Sequence, residues 1–430
     1  DKKILMYVGI GYMYLTQIEI LMYHLLKKNG CDVDYLVYDE NVKINEIITS
    51  NVFNTEGRDS FWDHNIKNSK KWLNLGNVDY ELIDCNTAKV NKIINNITSI
   101  DDVFNFQVEG VNIGKIIQAT IYRFYKSKTL GENALEYSKM FLHTALSNLY
   151  HFIQAYDKNK YDDVMFSHGI YVTWGPIVEY CKIHNINFVC YDRGKQKNSI
   201  NINYNQVAPD WSINEAWNRY LDKNLNNTEE TLMADYIAER ELQKNDVYSY
   251  NFNKKTENIS DLKKEIGIKP ESKIITIFTN LIWDAANVGR DLAFPDPLEC
   301  ITATIDEFTG DDNVHILVRT HPAEKVLGTN ERYSKLIYDH YNNQLPSNVT
   351  VLEPDASINS FSVIELSDIG VVNTSTVGLE FAQESKPILL ISETHYRGKG
   401  FTYDVDTREN YFQTLKDLIK STDILPNQVK

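Results

Sequence analysis

Apolar residues arrive along this chain in short unbroken runs, separated by longer stretches in which they recur every three or four positions. The first run, residues 3–10 (KILMYVGI), is apolar at successive positions, as a strand buried on both faces requires. From 17 to 28 the period becomes that of a helix; Thr16 and Glu19 have capping-box spacing, Gly30 closes the helix, and 33–38 supplies a second strand. A strand-helix-strand opening implies a parallel sheet and a Rossmann-like start. Residues from about 45 to 110 are rich in Asn, Lys and Asp, yet carry too many aromatics for disorder, and read as an irregular insertion. Two long helical patterns follow at 113–128 and 134–156. The alternation then resumes with a strand at 163–167, a helix at 172–184 and a strand at 188–192.

A polar stretch from 245 to 269, with Ser260 capping a short helix, reads as the connection to a second alternation. Strands are expected there at 273–279, 314–319, 349–352, 369–372 and 388–391, with helices at 298–308, 331–341, 358–366 and 377–384. The expectation is an α/β chain of GT-B type, with two Rossmann-like domains facing an interdomain cleft. Residues 1–245 form the acceptor-binding N-terminal domain, with a partly helical insertion at about 45–160. Residues 246–430 form the nucleotide-sugar-binding C-terminal domain, whose last helix is able to pack back on the first.

Composition narrows the function classes. The 430 residues are 43% hydrophobic and 24% charged, which is globular. A net charge of -15 repels a nucleic-acid backbone, so any anionic ligand has to be held by a local basic cluster. The five cysteines are scattered and form no CxxC pair, so neither a disulfide framework nor a zinc site is suggested and a reducing, cytoplasmic setting fits best. No apolar run reaches the roughly 18 to 20 residues of a membrane span, and no signal-peptide pattern opens the chain. It begins on Asp1 rather than methionine, which leaves room for an upstream segment.

In open α/β sheets ligands bind beyond the carboxyl ends of the strands, and four such exits in the second half are unusual. Asn280, Trp283 and Asp284 bring an amide, an indole and a carboxylate to the first. Arg319, His321 and Pro322 follow the second, where proline fixes the backbone and imidazole can donate to a phosphate. Asn373, Thr374, Ser375 and Thr376 lead into a helix whose free N–H groups favour an anion. The loop 395–404 adds Arg397 and Lys399, the local positive charge that the acidic whole lacks.

The order of a His-Pro pair, an Asn373-Thr-Ser-Thr-Val-Gly-Leu-Glu380 helix start and a Tyr396-Arg-Gly-Lys-Gly-Phe-Thr-Tyr-Asp404 loop resembles the capsule polysaccharide biosynthesis glycosyltransferases, including the capsule-type Kdo transferases. The likeness covers roughly residues 273 to 405. In that family the loop tends to read Tyr-x-Gly-Trp-Gly-Leu-Thr-x-Asp, so Lys399 and Phe401 are departures. The resemblance implies a CMP-sugar donor, with His321 on the donor phosphate and Glu380 on the donor ribose. It also implies a glycan or glycolipid acceptor, at the inner face of a bacterial membrane or in a capsule assembly complex.

The first half should then carry the acceptor, on Gly9, Gly11, Tyr12 and Arg193. Gly9 and Gly11 form only a GxG, too little for a dinucleotide fingerprint. For the base that takes the acceptor proton the candidates are His168 and Asp192, both at strand ends, and Asp284 beside Trp283. No cofactor is expected beyond the nucleotide sugar as co-substrate. No metal is expected, because no DxD-type carboxylate pair sits at the end of an expected strand and a helix dipole with cations can take the charge of the leaving nucleotide. The rivals are a GT-B-like nucleotide-sugar epimerase and a non-enzymatic sugar-binding protein.

Overall fold

The computed structural model describes residues 2–9, 13–38, 42, 44–56, 58–83, 87–194, 198–210, 212–241 and 258–421. Gly11, Tyr12 and most of the connecting stretch 245–269 lie outside the described residues. The chain divides into two compact units, Asp1–Trp211 with Trp283–Ala286, and Ser212–Ile282 with Asn287–Lys430. The division falls at 211, not at 245. The reason lies in side chains of 214–241 that are committed to the second unit: Asn214 accepts from the Lys399 ammonium, Trp217 packs on Phe401 at 5.6 Å, and Arg240 pairs with Glu380.

The strands of the first unit are β1 (Lys3–Val8), β2 (Asp32–Tyr38), β3 (Glu81–Ile83), a small hairpin of β4 (Gln107–Val108) and β5 (Val111–Asn112), β6 (Asp163–Ser167), β7 (Phe188–Arg193) and β8 (Ile200–Tyr204). Six of them form one sheet in the order β3-β2-β1-β6-β7-β8, parallel except for the antiparallel edge strand β8. In β1 the residues Leu5, Met6 and Tyr7 are fully buried, which is why that run carries no polar alternation. The helices Ile113–Tyr125, Ala134–Asn159 and Gly175–Ile183 pack with the sheet in one apolar core, where Phe124, Phe141, Phe152 and Phe166 are all at most 1% exposed.

The stretch from 45 to 110 is more regular than its composition suggests. It contains helices Ser50–Glu56, Arg58–Leu75, Thr87–Ile94 and Ile100–Phe104. In the longest of these the described side chains, residues 64–75, are deeply buried at Ile66, Ser69 and Leu73, a spacing of three and four whose signal the surrounding Asn and Lys mask. At the N-terminus of the chain the first helix spans Met13–Lys28, so Thr16 and Glu19 sit inside it and form no capping box. Near the second unit the cap of helix Ile259–Ile266 is Asn258, which accepts from the Asp261 N–H, and not Ser260.

Glu19 is completely buried, and the Tyr191 hydroxyl donates to its Oε1 at 2.7 Å. Burial pushes its carboxyl from the ordinary 4.5 up to about 8, against the pull of the Tyr191 hydrogen bond. The folded chain therefore holds a proton here that the unfolded chain releases above pH 4.5, so unfolding becomes easier as pH rises from about 4.5 towards 8. The substitution Glu19→Gln is expected to flatten that part of the stability profile. Urea denaturation at several pH values measures it, and an unchanged slope would refute the assignment.

The second unit has β9 (Lys273–Phe278), β10 (Val314–Arg319), β11 (Val349–Leu352), β12 (Ile369–Val372), β13 (Ile388–Leu390) and β14 (Tyr403–Asp404), all parallel in the order β11-β10-β9-β12-β13-β14. Its five expected strands match to within one residue; β14 is an added edge. Each sheet begins at its centre, grows to one side through the next two strands, and returns to the other side of its first strand. That is the doubly wound Rossmann-like order. Two such units in one chain give the mixed α/β, GT-B-type class. Among the described residues no helix is long and apolar enough to cross a membrane.

Candidate functional site

In a doubly wound sheet the strand order reverses beside the first strand, and the two loops leaving there part to opposite faces and open a crevice. In the second unit the reversal lies between β9 and β12, and the sequence places Asn280 after one and Thr374 after the other. The Asn280 amide donates to Thr374 Oγ1 at 2.8 Å, and the Thr374 hydroxyl donates to Asn287 Oδ1. His321, leaving β10, joins them from the neighbouring strand: its backbone N–H donates to Thr279 Oγ1 at 3.1 Å. The Asn373 side chain is 4% exposed, and among the described residues its Oδ1 has no hydrogen-bond donor.

The state of His321 follows from its surroundings. Its Nδ1 accepts the Ala323 N–H at 3.1 Å, which leaves the ring proton on Nε2. Burial, reinforced by Arg319, pushes its pKa down to about 4. At neutral pH it is an uncharged donor, fit to hydrogen-bond a phosphate oxygen without repelling the cations nearby. Three residues on, Glu324 is fully buried, and burial raises its carboxyl to about 8 against the pull of the Tyr333 backbone N–H.

Several cations named from the sequence are held by the scaffold instead. Arg319 is 3% exposed and donates to the carbonyls of Glu353 at 2.7 Å and Ile358 at 3.4 Å, tying the loop after β11 to β10. Arg397 donates to the carbonyls of Leu390 and Ser392 and pairs with Asp406. Lys399 is 8% exposed and bonded to Asn214 and the Arg397 carbonyl. Glu380 is 8% exposed and paired with Arg240. The glycine-rich loop is thus a self-braced turn, and its departures Lys399 and Phe401 anchor residues 214–217. Ser375 and Thr376 stand at the start of helix Val377–Gln383; Ser375 Oγ accepts from the Val377 N–H at 3.3 Å, while Thr376 makes no side-chain cap. Pro322 occupies the cap of the short turn Ala323–Val326.

In the first unit the reversal lies between β1 and β6. Gly9 follows β1, and a Cβ there would stand 2.7 Å from the Trp174 ring and 2.8 Å from Thr173, so only glycine fits. After β6 comes His168 with φ +56°, followed by Gly169 at φ +93°, a left-handed pair that turns the imidazole out of the strand direction. The turn is pinned by the His168 N–H to the Tyr191 carbonyl and the Ala208 N–H to the His168 carbonyl, both 2.9 Å. His168 Nε2 stands 3.8 Å from Asp192 Oδ2, and its ring lies 5.2 Å from that of Tyr171. Burial lowers the His168 pKa more than Asp192 raises it, so the ring is neutral and able to take a proton. Arg193, the last residue of β7, is exposed, and its N–H donates to Asp192 Oδ1 at 2.7 Å.

Residues Trp283–Ala286 count with this unit: Ala285 packs on Ala119 and Tyr171. Asp284 acts electrostatically on His168, Tyr171 and Lys126, so all three candidate bases share one neighbourhood. Trp283 is 3% exposed with the Lys126 ammonium 3.8 Å above its ring, which leaves that face covered and not open to a sugar. Sequence reasoning passed over Arg123, Lys126, Tyr171, Thr173 and Glu46. Glu46 accepts from the Thr173 hydroxyl at 2.8 Å, and Arg123 Nε donates to the Glu46 carbonyl at 3.0 Å. The only local signal was two cations at a helix end, which ordinarily answers the helix dipole. Among the described residues no group of three or more His, Cys, Asp and Glu is placed to hold a metal ion.

No family model matches the chain, and no curated protein matches it. Among solved structures it is similar to the beta Kdo 2,4 transferase of Thermosulfurimonas dismutans KpsC, at 14% identity over 58% of this chain and 75% of that one, with a TM-score of 0.39. It is also similar to the UDP-GlcNAc 2-epimerase of Methanocaldococcus jannaschii in complex with UDP-GlcNAc and UDP, at 12% identity over 100% of this chain and 96% of that one, TM-score 0.33. The Neisseria meningitidis UDP-GlcNAc 2-epimerase bound to UDP-GlcNAc gives 11% identity over 97% and 91%, TM-score 0.30. At this level the likeness bears on no activity.

Proposed function

We propose that this chain is a glycosyltransferase: the second unit holds a nucleotide-sugar donor and the first presents the acceptor hydroxyl. The observation that carries the reading is that both sheets gather their polar side chains at the strand-order reversal. Asn280 and Thr374 stand there in one unit with the neutral His321 at the end of the next strand, and His168 stands there in the other with Asp192 on the next strand. Hydrogen-bond donors without competing carboxylates suit phosphates; an imidazole beside a carboxylate suits proton transfer.

In the proposed step the His168 imidazole takes the acceptor O–H proton, and Asp192 stabilises the imidazolium that forms. The acceptor oxygen forms a bond to the donor's anomeric carbon. The bond from that carbon to the phosphate oxygen breaks, and its electron pair leaves with the nucleotide. His321 and the Asn280–Thr374 pair meet the developing phosphate charge. By its resemblance to the capsule enzymes, the donor is CMP-linked, Kdo-like, and the acceptor is a growing bacterial surface glycan in the cytoplasm.

A thermal-shift panel of CMP, UDP, GDP and dTDP tests the donor side, since a ligand at 100 times its dissociation constant stabilises by about 2.7 kcal/mol. A shift with CMP alone is expected; one with UDP or GDP alone overturns the CMP assignment. The His321→Ala variant is expected to lose most of that shift, and an unchanged shift removes His321 from the donor site. Incubation with donor alone separates the rival chemistry: conversion of free nucleotide sugar without acceptor marks an epimerase and sinks the transferase reading.

A further inference from the structure

We propose that Lys126, supported by Arg123, receives a carboxylate carried by the acceptor, so that the first unit selects acidic sugars. The inference rests on the transferase reading for the word acceptor, but the site itself stands on its own geometry.

Helix Ile113–Tyr125 ends with Lys126 at its C-cap in the left-handed conformation, φ +53°. That turn folds the side chain inward, and the residue is only 9% exposed. Among the described residues the ammonium has no hydrogen-bond acceptor; its direct partner is the Trp283 ring at 3.8 Å. Cations near a helix C-terminus often just answer the dipole, but they do so exposed and hydrated. A buried ammonium ordinarily has a carboxylate or several acceptors, because desolvation is otherwise uncompensated. An indole face supplies attraction but no acceptor.

The neighbouring charges define what is missing. Arg123 opposes the Lys126 charge and Asp284 favours it, while burial is the largest influence and lowers the ammonium to about 8. The Lys126 ammonium has no ion pair of its own among the described residues, and a monoanion supplies one. Glu46, held by the Thr173 hydroxyl and pushed up to about 7 by burial, is a weak counter-ion for Arg123, whose guanidinium stands 5.2 Å from the Tyr171 ring. Tyr171 packs in turn on His168. A sugar carboxylate at Lys126 therefore orients the same sugar toward the imidazole, since Arg123 and Asp284 are common neighbours of both groups.

The test is an NMR-monitored titration of the full chain, without nucleotide, using methyl β-D-glucuronide and methyl β-D-glucoside as probes. The wild type is expected to bind the glucuronide at least about tenfold more tightly, the scale of one charge-assisted hydrogen bond. Lys126→Met and Lys126→Gln should abolish the preference and Lys126→Arg should keep it, with a wild-type-like cooperative thermal melt confirming that each variant is folded. Equal binding of the two sugars, no binding of the glucuronide, or a preference that survives in Lys126→Gln overturns the proposal. A nucleotide shift without any acid preference removes this inference alone. Acid preference without any nucleotide shift removes the transferase reading and leaves the Lys126 site standing.

Discussion

Replacing His168 with alanine is expected to lower the transfer rate by about 10²- to 10⁴-fold, the usual worth of a positioned general base, while the nucleotide thermal shift of the second unit stays as in the wild type. The geometry gives this residue the role. Its backbone is held in a left-handed conformation that few side chains adopt, and two backbone hydrogen bonds, one through its N–H and one through its carbonyl, keep it there. The ring is neutral through burial, and Asp192 stands 3.8 Å from Nε2, close enough to tighten onto an imidazolium once a proton arrives. Asp192→Asn should then fall by a smaller factor, because it loses the stabilising charge but keeps the base. Initial rates at saturating donor and acceptor measure both. If the His168→Ala enzyme turns over within about threefold of wild type, the proton goes elsewhere, and Asp284 is the remaining carboxylate in the same neighbourhood.

The Gly378→Ala substitution should be the most damaging small change near the donor loops. A Cβ at that position stands 2.2 Å from the hydroxyl of Tyr396, a ring with no exposed surface that donates to the Ser375 carbonyl. The ring has no room to retreat, stacked as it is on Phe401 at 6.1 Å. Relieving the clash breaks the Tyr396 bond and moves the turn 373–376 that carries Asn373 and Thr374. Overpacking costs about 1–3 kcal/mol, and the buried hydrogen bond contributes about 1 kcal/mol more. Chemical denaturation reads the loss of stability, and the nucleotide shift reads the loss of the site. Wild-type values for both would show that the loop tolerates a methyl group and that its packing is looser than the structure implies. Gly378→Ala with Tyr396→Phe, which removes the clashing hydroxyl, should recover part of the stability.

Much of this architecture was legible before any coordinates. Strands β6, β10, β11 and β12 fall where the apolar runs place them, because a parallel strand buried on both faces must be apolar at every position, and that requirement is local. Strand ends are equally local, so Asn280, His321, Thr374, His168 and Asp192 could be named as exit residues. Helix Arg58–Leu75 was not legible, since among its described side chains Ile66, Ser69 and Leu73 are buried between polar residues and leave too faint a period. Edge strands β3, β8 and β14 escaped for a related reason: their residues are partly exposed, and β8 alternates between exposed and half-buried positions.

What the sequence by itself determined is therefore the class: two successive βα alternations, an acidic chain that needs a local basic cluster for an anionic ligand, and a set of polar strand exits. What only the tertiary structure decided is which charges are spent. Arg319, Arg397, Lys399 and Glu380 looked like ligand contacts in sequence, and each is bound to the fold, two of them by partners 140 and 185 positions away. Lys126, silent in the sequence, is a buried cation that meets only a ring among the described residues. Whether a charge is compensated depends on desolvation and on neighbours brought together by long-range packing, and neither is written in the spacing of residues along the chain.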